Sequence, residues 1–437
     1  MTNLIFRRLH GSSQVMDLFE DSAMIQSMLD VECALAYVLA ELKICKQSHS
    51  KSIAKKCKVS NFDLPRLAEA AAQHGTVVVP LVKDLTKLVN SLDPEASTYV
   101  HYGITSQDVI DTAMILQLVK AFEHIKLDIL LVRDSLEKLS KENKTTLMLG
   151  RTLMQPSAPI TFAQKVNGWL FAINNDWERL EKEANLAFSI QMGGAVGNLS
   201  AFGKNANNLR ELCAKKLKLK NSGNSWHVYR NNLVSYCSAV AMLIGSLGKI
   251  AKDVSLLMQP EVGEVKLAEG AQKGSSSAMP HKKNPVGCLV ALSSVSRVSG
   301  LMSTLFSALP HEHERALGGW QQEWVSVPQI MEIAAGSAKA MSETCKVLSP
   351  DTNKMRHNLD ILNGVIMSER LMLVLSEKLG KAEAKEIVAQ ACERAQEENI
   401  RLSDILGSDN RITDILSISE LDRLLDPSDY LGSASFK

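Results

Sequence analysis

Residues 108–150 read D-V-I-D-T-A-M-I-L-Q-L-V-K-A-F-E-H-I-K-L-D-I-L-L-V-R-D-S-L-E-K-L-S-K-E-N-K-T-T-L-M-L-G, with no glycine or proline before the closing glycine. Apolar residues recur at helical spacing: Val109, Ala113, Leu116, Val119, Ile125, Ile129, Val132, Leu136 and Leu139. A helix over most of this stretch runs about 45 Å at 1.5 Å per residue. Asp108, at its head, is a favoured capping type.

Four more segments carry the same pattern: 161–190, broken only by Gly168, then 231–258, 286–309 and 330–347. Strand patterns are scarce, the β-branched run at 76–79 being the one that stands out. The expectation is an all-α chain built on a central set of long helices. Residues 235–257 carry Ala239, Val240, Ala241, Met242, Leu243 and Ile244 in succession, so that helix is apolar on every side. Burial against partner subunits explains this, as does a central position in a monomeric bundle. Three segments follow: 1–107 with shorter helices interrupted by Pro65, Gly75 and Pro80, the long-helix region 108–350, and a shorter, charged C-terminal part, 351–437. The lysine-rich stretch 48–58 reads as a solvated connector.

Against 49 basic residues stand 48 acidic ones in a chain of 437, a net charge of +1. That balance gives no electrostatic case for nucleic acid or an anionic membrane as partner. The eight cysteines are scattered without a C-x-x-C pair, as expected of reduced thiols in a cytoplasmic protein. The first residues lack an apolar signal core, and no run reads as long enough to span a membrane.

Chemistry concentrates in four stretches. Residues 274–285 read G-S-S-S-A-M-P-H-K-K-N-P. Hydroxyls on a glycine-led loop are followed by two lysines and an Asn-Pro pair that suits a helix start. A helix N-terminus beside cations is a place to hold carboxylates. Ser276 or Ser277, brought onto such a site, could serve as a base, with Lys282 and Asn284 as ligands. Residues 101–108, H-Y-G-I-T-S-Q-D, put Thr105 and Ser106 at the entrance of the first long helix, where free N–H groups and hydroxyls can meet an anion; His101 precedes them. Taken alone, this reads better as an ordinary capping segment; beside the serine loop the balance reverses. Residues 191–200, Q-M-G-G-A-V-G-N-L-S, have the wrong glycine spacing for a dinucleotide fingerprint and suit a helix end, with Gly193 or Gly194 as C-cap. Residues 311–324, H-E-H-E-R-A-L-G-G-W-Q-Q-E-W, offer His-x-His, but no H-E-x-x-H completes a zinc site. No metal and no cofactor is implied.

These blocks, with L-G-R-T-L-M-Q-P at 149–156, resemble the fumarase/aspartase superfamily, and 311–324 resembles its muconate-cycloisomerase branch. The resemblance runs over most of the chain. It implies a homotetramer with active sites shared between subunits and a small-molecule polycarboxylate as substrate. It also implies that His101, Thr105, Ser106, Arg151, Thr152, Gln191, Lys282, Asn284 and Arg315 bind that substrate, with Ser276 or Ser277 handling the proton. Many lyases of the superfamily place a histidine after the threonine of the 149–156 block to protonate a leaving nitrogen; here that position is Leu153. An amine leaves badly without a general acid, worth roughly 10²–10⁴-fold. A carboxylate is a weak base and leaves unaided. Leu153 therefore points to lactonisation of an unsaturated tricarboxylate. Adenylosuccinate lyase is the second reading and an inactive structural homologue the third. Ser275, where relatives commonly have glycine, and Lys385, where many have histidine, are further departures.

Overall fold

The computed structural model describes residues 4–268, 279 and 282–436, the side chains of 435 and 436 excepted. Six long helices carry it: α1 (Asp21–Glu41), α2 (Ser106–Glu142), α3 (Phe162–Ala187), α4 (Asn231–Leu257), α5 (Val286–Ser307) and α6 (Gly319–Val347). The all-α expectation holds, with two short antiparallel pairs added: β1 (Leu147–Thr152) with β2 (Gln155–Thr161), and β3 (Val265–Leu267) with β4 (Leu348–Pro350).

The chain divides into two compact units. One is formed by Met1–Leu130, Asn175–Gly248 and Leu289–Met341, the other by Leu131–Asn174, Lys249–Cys288 and Ser342–Lys437. Every division falls inside a long helix, and none falls at 107/108 or 350/351. In the first unit the core is built from Leu29, Leu35 and Leu39 of α1 and Val109 and Ala113 of α2. Leu81, Leu85 and Val89 from Val78–Asn90 complete it, with Phe202 and Trp320. In the second, Leu371 and Leu375 of α7 (Ser368–Leu379) meet Ile387 and Val388 of α8 (Lys381–Glu397).

Several local expectations change. The lysine-rich 48–58 is largely helical, since Gln47–Lys56 buries His49, Ser50 and Ile53. The β-branched run at 76–79 leads into the helix Val78–Asn90. Helix α6 begins well before Ile330 and carries Pro328 inside it; proline lacks the N–H that a helix interior uses, which is why the sequence pattern resumes only beyond it. The expectation that no run could span a membrane is also corrected. By length and composition α1, α4 and α5 are each long and apolar enough. In α1 and α4, 61% of the apolar window is buried within the chain, and in α5 only 33%.

The β1–β2 hairpin escaped the sequence reading, and its turn explains why. Thr152 pairs with Gln155, so Leu153 and Met154 form a two-residue turn, with φ of 50° and 67°. Asn-Gly or Asp-Gly usually signals such a turn; Leu-Met gives no signal. Gly150 sits at the register shift between Leu149 and Arg151, where a Cβ would lie 2.6 Å from the Ala158 carbonyl.

Candidate active site

In the first unit the site is organised around the opening turn of α2. The helix starts at Ser106, so Asp108 lies inside it and does not precede it. Its carboxylate is wholly buried and accepts five N–H groups. Oδ2 takes the backbone N–H of Thr105 at 3.1 Å and of Gly194 at 2.8 Å. Oδ1 takes the backbone N–H of Gly193 and the Nε2–H of His227, each at 2.8 Å, and the Nε2–H of Gln191 at 3.5 Å. The 191–200 stretch is thus a loop pinned to α2, correcting its reading as a helix end, because α3 already stops at Ala187. Gly193 allows this approach: a Cβ there would meet the Ser225 Oγ at 2.5 Å and the His227 Cε1 at 2.8 Å.

Arg315 arrives at the same place. It donates from Nη1 to the Thr105 hydroxyl at 2.9 Å and from Nη2 to the Ala195 carbonyl at 3.1 Å. Its Nε is buried and has no partner among the described residues. A guanidinium carries five N–H donors, so three remain for a ligand. Ser106 follows Thr105 at the helix entrance and is half-buried. The structure places Arg315 against Thr105, with Ser106 next in the chain.

Gln191 does not join them. Its side chain is fully buried; Nε2 donates to Ser225 Oγ at 2.8 Å and Oε1 accepts the Trp226 N–H at 2.7 Å. Its amide anchors the loop to Ser225, Trp226 and Asp108. His101, at φ 55°, is held by Glu32, whose oxygens take its backbone N–H at 3.1 Å and its Nδ1 at 2.6 Å. Burial pulls the imidazole pKa down, but the charge of Glu32 and this hydrogen bond, with Asp108 beyond, outweigh it and leave the pKa raised.

Below this layer lies an ionic cluster that sequence reasoning missed. Arg230, immediately before α4, is wholly buried. It grips Asp111 of α2 through Nη1 at 2.7 Å and Nη2 at 3.0 Å, and Glu323 of α6 through Nε at 2.9 Å and through Nη2. The Trp320 indole N–H adds a bond to Asp111 at 2.9 Å. The starts of three long helices are thereby tied to one guanidinium. Burial raises the Glu323 pKa, against the pull of Arg230. No motif announces such a cluster, because its members come from three distant parts of the sequence. His311 is buried and His313 exposed, and no group of three metal-ligand types forms among the described residues.

In the second unit Arg151 faces Glu264 and bonds it from Nη1 at 2.8 Å and Nη2 at 2.7 Å. Two of the Arg151 N–H groups are therefore engaged within the chain. Thr152 is exposed on the hairpin, and Leu153 at its tip is 97% exposed. Lys282 is exposed and Asn284 half-buried just ahead of α5, which starts at Val286, one residue beyond the Pro285 expected to open it. Ser276 and Ser277, with Ser275, lie outside the described residues. Lys385 is exposed on the first turn of α8.

The family described as Lyase matches residues 8–300, and the one described as Adenylosuccinate lyase C-terminus matches 364–436. A 3-carboxy-cis,cis-muconate cycloisomerase from Pseudomonas putida is 39% identical over 97% of this chain and 100% of its own length. The crystal structure of the 3-carboxy-cis,cis-muconate lactonizing enzyme from the same organism superposes with a TM-score of 0.92 at 38% identity, covering 99% of this chain and 97% of that one. A nitrosuccinate lyase from Streptomyces davaonensis is 36% identical over 95% of this chain and 89% of its own length.

Proposed function

This chain belongs to the fumarase/aspartase superfamily of lyases, and on that premise we propose that it is a 3-carboxy-cis,cis-muconate cycloisomerase, working without a cofactor. The observation that carries this reading is Leu153, an aliphatic side chain at the tip of the β1–β2 turn where many relatives place a general acid. Lactonisation moves a carboxylate, which requires no such proton.

Three groups of residues share the work. Arg315, with the Thr105 and Ser106 hydroxyls at the N-terminus of α2, holds one carboxylate. Lys282 and Asn284 hold another, with the Thr152 region and His101 lining the substrate. One carboxylate of the substrate attacks a conjugated alkene carbon, the C=C electron pair moves onto the neighbouring carbon, and that carbanion is delocalised into its own carboxylate. Fixed cations and helix N-termini favour this charge-rich species over the ground state. Ser276, and otherwise Ser277, gives its hydroxyl proton to that carbon and regains one from solvent after the turnover; in the reverse direction the deprotonated serine removes that proton, and exclusion of water must tune so weak a base.

The assembly we propose is a homotetramer with shared sites. It is supported by the apolar surface that long helices leave uncovered: Leu127, Leu130 and Leu131 on α2 are 62%, 37% and 54% exposed. Leu289 and Phe306 on α5 are each 52% exposed. Eight unpaired thiols support a reducing, cytoplasmic setting. Replacement of Ser276 and Ser277 by alanine, singly and together, tests the proton carrier. Loss of turnover with assembly intact is expected; full activity in the double variant would refute it.

A further inference from the structure

The two oxygens that Arg315 grips share one support. Thr105 offers its hydroxyl to Nη1, and Ala195 offers its carbonyl to Nη2. The backbone N–H of Thr105 ends on Asp108, and so do those of Gly193 and Gly194, the residues leading into Ala195. We propose that Asp108 is the positioning residue for Arg315: one buried carboxylate fixes both acceptors, and through them the direction in which the free guanidinium N–H groups point.

A carboxylate is suited to this task and an amide is not. Five donors converge on two oxygens with no exposure to water. Asparagine would keep one acceptor oxygen and turn an NH₂ toward N–H groups, leaving buried donors unpaired. The negative charge is offset by the N-terminus of α2 and by charge-assisted hydrogen bonds. Arg210 and His227 stand nearby, but Asp108 has no guanidinium partner of its own, so its bonding capacity goes into the two backbone segments.

This assignment rests on the reading that Arg315 binds a substrate carboxylate. If it is right, Asp108 and Arg315 act in series. Losing the support and losing the fork then remove the same interaction, so the two losses do not multiply. A purely structural role for Asp108 would instead add its cost independently.

The test is a double-mutant cycle of Asp108→Asn and Arg315→Gln on the full chain, read as KM and kcat for 3-carboxy-cis,cis-muconate. Each single change should raise KM by about 10-fold to 100-fold, the scale of lost hydrogen bonds to a charged group. The double variant should be no more than about 3-fold worse than the poorer single. Losses that multiply, or an unchanged KM in Asp108→Asn, would overturn the assignment. His227→Gln, which perturbs only one of the five donors, serves where Asp108→Asn does not fold; its losses too should fail to multiply with those of Arg315→Gln. A readout independent of substrate separates this from the proposed reaction: the rate at which phenylglyoxal modifies Arg315, followed by peptide mass spectrometry. A several-fold change in that rate in the Asp108 or His227 variant supports the positioning role even if the muconate is not turned over. An unchanged rate contradicts it even if turnover is normal.

Discussion

Arg151 and Glu264 meet fork to fork, at 2.8 and 2.7 Å, and the Glu264 carboxylate is entirely buried. Asn358 donates to the same carboxylate at 2.8 Å. The strand that bears the Leu153 turn is therefore locked to the residue that precedes β3. Removing one member of a buried pair leaves the other charge without compensation, at about 3–5 kcal/mol. Arg151 keeps contact with water, its side chain being 26% exposed, so Glu264→Ala should fall at the low end, roughly 3 kcal/mol. Denaturant midpoints at fixed protein concentration check this. Stability within error of wild type would show that the pair contributes nothing.

The pairing of His101 with Glu32 predicts a pH dependence. The folded pKa of His101 is raised, so the stability it contributes is complete below the unfolded value and is lost as pH rises through the folded one. Wild type and Glu32→Gln should therefore differ more in thermal midpoint near about pH 5.5 than near about pH 9, on either side of the ordinary histidine range. A gap that widens with rising pH would contradict the pairing.

Gly150 is a steric requirement. A methyl group there would sit 2.6 Å from the Ala158 carbonyl, inside contact distance of backbone that cannot swing away. Gly150→Ala should destabilise by about 1–3 kcal/mol, the usual range for overpacking. Because the bulge aims the turn, activity should fall further than stability does, and a comparison of kcat with the unfolding midpoint reads both.

Arg315→Lys preserves charge and loses the fork. One ammonium cannot reach Thr105, Ala195 and a ligand carboxylate with the same planar geometry. KM should rise by about 10-fold or more, on the scale of hydrogen bonds to a charged group, with a smaller change in kcat. Equal KM values would remove Arg315 from substrate binding.

How much of this was legible in the sequence depended on the kind of signal. Residues 109–139 repeat with helical period, and α2 followed from that repeat alone. Thr105 and Ser106 were readable because a helix entrance needs hydroxyls and N–H groups in a fixed order. Arg315 was readable through a resemblance and not through spacing. The hairpin was not, because Leu153 and Met154 adopt positive φ without glycine or asparagine to announce it. Arg151 and Gln191 were assigned to the ligand through the resemblance of their blocks. Only the folded chain shows that Glu264 and Ser225 already use their donors. The Asp111–Arg230–Glu323 cluster joins residues more than 90 apart in sequence, where no local pattern relates them.

The most direct test of the account is to give the purified enzyme 3-carboxy-cis,cis-muconate and adenylosuccinate in parallel and follow both by absorbance and product analysis. A chain whose hairpin tip is Leu153 should form the lactone without added cofactor and leave the C–N bond of adenylosuccinate intact. Brisk release of fumarate from adenylosuccinate, with no lactone formed, would contradict it.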